Sequence, residues 1–134
     1  MSNFEPTLLG KPVNALPNDP AEAKLEAFPN DFSDRKYWVT LDYPHFTSLC
    51  PVTGQPDFAH IIIRYIPDQK VVETKSLKLY LQAFRNQIAF NEKWVNRILN
   101  DLVAVLEPHQ MEIEGKFASR GGISLSVNIS YPQA

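Results

Sequence analysis

Met111-Glu112-Ile113-Glu114-Gly115-Lys116-Phe117-Ala118-Ser119-Arg120-Gly121-Gly122-Ile123-Ser124-Leu125-Ser126-Val127-Asn128-Ile129-Ser130-Tyr131 decides the fold. In its second half Ile123, Leu125, Val127, Ile129 and Tyr131 alternate without error with Ser124, Ser126, Asn128 and Ser130. In its first half Met111, Ile113 and Phe117 alternate with Glu112, Glu114 and Lys116. A period of two is that of a β-strand with one apolar and one polar face. Ser119-Arg120-Gly121-Gly122 between the runs reads as a hairpin turn.

Upstream of this hairpin the apolar spacing becomes helical. Trp94, Val95, Ile98, Leu102 and Val105 mark one helix, with Asn91 as N-cap, Glu92 in the first turn and Pro108 as its stop. Leu77, Tyr80, Leu81, Phe84 and Ile88 mark another over residues 76–90. Before the helices, residues 58–66 are β-branched and aromatic and end at Pro67-Asp68. Tyr37, Val39, Leu41 and Tyr43 form a further alternating strand. Two strands, two helices and two strands give an α+β fold (ββααββ), with both helices on one face of an antiparallel four-stranded sheet. The other face carries the Ser, Asn, Glu, Lys and Thr positions. An open sheet has two unpaired edges. Pairing them with other copies makes a ring-shaped barrel, so a homo-oligomer is expected. Residues 1–33, rich in Pro, Asn, Asp and Ala, read as an extended arm with a helical turn over 21–28, and residues 34–134 as a single domain.

At 134 residues, 44% hydrophobic and 21% charged, the composition is that of a soluble globular domain with one core. A net charge of -2 argues against a surface built for nucleic acid. No run approaches the roughly 20 apolar residues that span a bilayer. The first ten residues lack the basic and apolar regions of a secretory leader, so a cytoplasmic location is the default expectation.

Cys50 is the one cysteine, so neither an intramolecular disulfide nor a multi-cysteine zinc site can be built on it. It lies in Phe46-Thr47-Ser48-Leu49-Cys50-Pro51-Val52-Thr53-Gly54-Gln55-Pro56-Asp57-Phe58, a polar turn with a carboxylate at its far side. Such a thiol is either a small turn residue or a nucleophile with Asp57 as its proton partner. Glu73-Thr74-Lys75-Ser76-Leu77-Lys78-Leu79-Tyr80 opens the first helix. Two lysines three apart beside free backbone N–H groups suit phosphate, and equally a solvated basic face with a capping hydroxyl. Arg120-Gly121-Gly122 offers a phosphate ligand with close backbone approach, or a plain turn. His45, His60 and His109 have no metal-ligand spacing, and no dinucleotide fingerprint or Walker loop is present.

Together the segments around Cys50 and Asp57, the run 73–80, Phe84-Arg85-Asn86, Gly115-Lys116-Phe117 and Arg120-Gly121-Gly122-Ile123 resemble the nitrile reductases of queuosine biosynthesis, the NADPH-dependent 7-cyano-7-deazaguanine reductases, in their short single-module form. The resemblance covers about residues 25–123. It implies a tunnelling fold, in which sheets from several subunits close a barrel, two pentameric rings stack, and active sites lie between subunits. It implies that Cys50 adds to the nitrile carbon to give a covalent thioimide and that Asp57 is the proton donor. Val72, Glu73, Thr74, Asn91 and Glu92 are then the substrate-binding residues, with the two carboxylates on the N–H edges of the 7-deazapurine. Lys75, Ser76, Lys78, Arg120, Gly121 and Gly122 hold NADPH. No metal is implied.

One position departs from the pattern. The family usually has histidine before the second ring-binding glutamate, and this chain has Asn91. Asn can hydrogen-bond but cannot titrate. Two other readings use the same residues: a transferase that adds ammonia to the nitrile without NADPH, and a non-catalytic purine-binding ring. The retained basic residues disfavour the first and the thiol beside Asp57 disfavours the second.

Overall fold

The computed structural model describes residues 16–133. A 3-10 turn, Pro20–Glu22, leads into β1 (Ala27–Pro29). There follow β2 (Val39–Leu49), β3 (Pro56–Ile66), β4 (Lys70–Val72), α1 (Thr74–Gln82), α2 (Asn91–Leu106), β5 (Gln110–Arg120) and β6 (Ile123–Tyr131). The main sheet has the order β2-β3-β5-β6, every pair antiparallel, and β1 pairs with β4 in a separate two-stranded sheet.

The expected alternation sets the layers. Ile61, Ile63 and Tyr65 of β3 and Met111, Ile113 and Phe117 of β5 are buried. They pack with Val95, Ile98, Leu102 and Leu106 of α2 and with Leu77, Tyr80 and Leu81 of α1. Gly115 lets α2 lie close to the sheet, since a Cβ there would sit 2.7 Å from Val95 Cγ2. The opposite face is polar and charged, with Arg64 paired to Glu112 at 3.0 Å and stacked over the Trp38 ring. His60 pairs with Asp42 on the same face. β5 and β6 turn through Gly121 and Gly122, both at positive φ (57° and 85°), as a two-residue hairpin requires.

Several boundaries differ from the sequence expectations. The first helix ends at Gln82, not at residue 90. Residues 83–87 form turns closed by bonds such as Gln87 N–H to Phe84 O, and Leu49 N–H donates to Gln87 O at 2.9 Å. This fastens the segment against the end of β2, where Ile88 bridges Leu49. Phe84 leaves helical spacing to join a ring cluster, 5.5 Å from Phe46 and 5.2 Å from Trp94. Asn91 is the first helical residue, not the cap. Phe90 occupies the N-cap position without a side-chain bond.

The helical turn expected over 21–28 stops at Glu22. Beyond it the chain extends into β1, because Glu26 N–H donates to Ser76 Oγ and Glu26 O accepts from Glu73 N–H. The first sheet strand runs on to Leu49, past a register shift between Tyr43 and Phe46, so residues 46–49 are strand and not turn. β3 begins at Pro56 and therefore includes Asp57. β1 and β4 had no signal in the period-two pattern, being three residues each. The part of the expected arm before residue 16 lies outside the described residues.

Candidate active site

β2 and β3 are joined by a tight turn that begins at Cys50. Cys50 N–H donates to Gln55 O and Gly54 N–H to Cys50 O, each at 2.9 Å. Gly54 takes a positive φ of 70°, which suits glycine. The turn aims donors at the sulfur. The backbone N–H of Thr53, then the Thr53 hydroxyl, then the backbone N–H of Val52 hold the Cys50 thiol below its ordinary value. Slight burial and the negative charge of Asp57 oppose them. The Thr53 oxygen also accepts from Gln55 N–H at 3.2 Å, which fixes the hydroxyl. A partly exposed sulfur among such donors is a candidate nucleophile.

Asp57 is buried, at 8% exposure, and pairs across the β2–β3 ladder with Ser48. Its Oδ1 lies 2.6 Å from Arg120 Nε. Arg120 Nη1 donates to Gln55 Oε1 at 3.2 Å and Nη2 donates to Pro56 O. Arg120, expected to serve a cofactor phosphate, is therefore joined to the acid. Gly121 and Gly122 beside it are exposed, and a Cβ added to either would meet nothing within 4 Å.

α2 starts three residues after the Leu49–Ile88 bridge, so Asn91 and Glu92 belong to the Cys50 end of the molecule. Glu92 is exposed, whereas Asn91 is half-buried. Among the described residues three buried polar atoms lack a partner: Asn91 Oδ1, Trp94 Nε1 and Ser48 Oγ. Buried polar groups are rarely left so, and a ligand is one remedy.

The remaining expected residues lie elsewhere. Glu73 is buried and is the N-cap of α1, its Oε2 accepting from Lys75 N–H at 2.6 Å and its Oε1 from Ser76 N–H at 2.9 Å. Ser76 is fully buried. Its hydroxyl donates to Glu73 O and accepts from Glu26 N–H, so it fastens β1 to α1 rather than facing outward. Val72 is buried and donates to the Tyr65 hydroxyl. Thr74 and Lys78 are exposed, Lys75 half so. Thr74 and Lys78 line a small cavity with Leu41, Asp42 and Tyr43. Cys50 follows Tyr43 by seven residues of mostly extended chain, so at strand rise it lies about 20 Å away. One chain thus brings together Cys50, Asp57, Arg120, Gly121 and Gly122, with Asn91 and Glu92 toward the same end. It carries Val72, Glu73, Thr74, Lys75, Ser76 and Lys78 at the other end.

Sequence reasoning missed Ser48, Thr53 and Gln55. Ser48 shares the period of Phe46 and Cys50, which signals its face. Nothing in the pattern signals that its hydroxyl is unpaired. Among the described residues no group of three or more His, Cys, Asp or Glu could hold a metal ion, and no helix is long and apolar enough to cross a membrane.

The family model described as QueF-like protein matches residues 56–134. A Porphyromonas gingivalis protein named NADPH-dependent 7-cyano-7-deazaguanine reductase is 57% identical over 108 residues, 81% of this chain and 70% of its own length. The chain belongs to the QueF-like family. A Staphylococcus aureus member with the same name is 51% identical over 125 residues, 93% of this chain and 75% of its own. Alignments this long on 134 residues necessarily include Cys50, which precedes the segment the QueF-like model matches. The crystal structure of the archaeosine synthase QueF-Like in the apo form aligns with a TM-score of 0.65, covering 69% of this chain and 91% of that one. At 20% identity that likeness shows the shared QueF-like tunnelling fold alone.

Proposed function

We propose that this chain is an NADPH-dependent 7-cyano-7-deazaguanine reductase of queuosine biosynthesis, which converts the nitrile to the aminomethyl group. The observation that carries this reading is the Cys50 sulfur in its nest of donors, with Asp57 held by Arg120 at the start of β3, where that turn ends. As Cys50 Sγ bonds the nitrile carbon, Asp57 delivers a proton to the nitrile nitrogen, and a thioimide results. The donors of Val52 and Thr53 favour the thiolate that attacks.

Glu92 and Glu73 accept from the ring N–H edge, Glu73 through lone pairs left beside its two capping bonds. Val72, Thr74 and Asn91 complete the ring contacts. Lys75, Lys78 and Arg120, with the open turn Gly121-Gly122, fit the phosphates of NADPH. When bound, NADPH supplies hydride, two cofactor molecules per nitrile. Ser76 contributes by holding the N-terminus of α1.

The two groups of site residues lie at opposite ends of one chain, so the site closes when the Glu73 end of one copy meets the Cys50 end of another. Edge pairing of β2 and β6 between copies gives the barrel ring, and two stacked pentamers are the assembly we propose. A lone thiol nucleophile suits a reducing, cytoplasmic compartment.

Intact mass after incubation with 7-cyano-7-deazaguanine tests the reading. A ligand-sized adduct on the wild type and none on Cys50→Ala is expected, with two NADPH oxidised per substrate when cofactor is added. An adduct without NADPH oxidation would point to the ammonia-adding transferase. No adduct at all would leave a binding ring.

A further inference from the structure

We propose that Arg120 positions Asp57 for the addition of Cys50 to the nitrile, a duty performed before any cofactor binds. The proposal rests on the reductase reading. Arg120 ends β5, just past a register shift between Phe117 and Arg120 in the β5–β6 ladder. Such an irregularity re-aims a side chain. Here it accompanies a guanidinium laid along the last leg of the Cys50 turn, where one planar group grips three consecutive residues: Gln55 by its side chain, Pro56 by its carbonyl and Asp57 by its carboxylate. A rigid fork of donors suits this task, and a lysine cannot reproduce it.

The chemistry gives that grip a purpose. Adding a thiol to a nitrile forms the S–C bond, moves one π electron pair of C≡N onto nitrogen, and transfers the sulfur proton to that nitrogen. Asp57, held by Arg120, is the proton relay of this step. It takes the thiol proton, passes it to the nitrogen and returns to its starting charge, so no outside donor is consumed. The groups facing Asp57 are Arg120 from β5, Ser48 from β2 and the Cys50 thiol from the turn. The Asp57 charge opposes thiolate formation at Cys50. A cation on Asp57 offsets that effect.

Contact with cofactor is compatible with this duty. A guanidinium has five N–H donors, and Asp57, Gln55 and Pro56 engage one each. The two left over can meet a phosphate while Asp57 stays in place.

The thioimide half-reaction needs no NADPH, which separates the two roles. Adduct formation with 7-cyano-7-deazaguanine is followed by intact mass, without cofactor, on the full-length protein. Arg120→Gln is expected to slow it at least about tenfold near neutral pH, the scale of one lost charged hydrogen bond. Arg120→Lys should be intermediate. A wild-type adduct rate in Arg120→Gln, with only the KM for NADPH raised, would overturn the proposal. So would an Arg120→Lys rate as slow as that of Arg120→Gln, since that marks a merely structural loss. Circular dichroism checks folding. If Arg120→Gln does not fold, Arg120→Lys decides, an intermediate rate supporting the proposal and a wild-type rate overturning it. An unreactive wild type overturns the reductase reading and this proposal with it.

Discussion

Ser48 and Asp57 face each other as direct partners in the β2–β3 ladder, both buried, and the Ser48 hydroxyl has no hydrogen-bond partner. Cross-strand partners have Cβ atoms roughly 5 Å apart, so this hydroxyl stands beside Asp57 and two residues before Cys50.

An unpaired buried hydroxyl contributes nothing to folding and carries a desolvation cost. Ser48→Ala should therefore leave the Tm unchanged or raise it slightly. If a bound ligand completes that hydroxyl, adduct formation should fall about tenfold in the same variant, the scale of one hydrogen bond. Thermal melts and adduct kinetics on one preparation check both.

Cys50 titrates below an ordinary thiol because Thr53 and Val52 donate to the sulfur. Iodoacetamide labelling of the wild type should reach half its maximal rate below the ordinary thiol value near 8.5. Thr53→Val removes the hydroxyl donor and keeps the backbone N–H, so the labelling curve should move to higher pH without vanishing. An unchanged curve would show that the Thr53 hydroxyl does not act on the sulfur.

Glu73 caps α1 with both carboxylate oxygens while nearly fully buried. Glu73→Ala should destabilise by about 1–3 kcal/mol, since two backbone donors lose their acceptor. Glu73→Gln keeps one acceptor oxygen and should lose less. Urea melts measure this, and they must accompany any assay, because a weaker substrate affinity in Glu73→Ala would otherwise mix cap and contact.

Asn91 stands where the family resemblance leads one to expect histidine, and its Oδ1 is buried without a partner. Asn91→His adds a group that can carry a proton. Turnover of NADPH should rise while the adduct rate stays the same. Stopped-flow absorbance of NADPH beside intact mass separates the two steps.

Gly115 lies under Val95 of α2. Gly115→Ala should cost about 1–3 kcal/mol by overpacking. Adding Val95→Ala removes the 2.7 Å clash, so the double variant should cost less than the sum of the two single losses. Chemical denaturation of the four proteins in this cycle gives the coupling.

The amino-acid sequence by itself determined the sheet faces, the existence of both helices, the hairpin turn at Gly121-Gly122 and the candidate nucleophile. These follow from local rules. Side-chain period sets which residues share a face, glycine permits positive φ, and a lone cysteine limits the chemistry of sulfur. The tertiary structure alone decided where α1 ends, two residues before Phe84, which packs in the ring cluster with Phe46 and Trp94. It also decided that residues 27–29 are a strand, held through Glu26 to Glu73 and Ser76 far along the chain. Above all it joined Arg120 to Asp57 across more than sixty residues and set Glu73 apart from Cys50. Ion pairs and caps of this kind depend on distances between segments remote in sequence, and no local period encodes them.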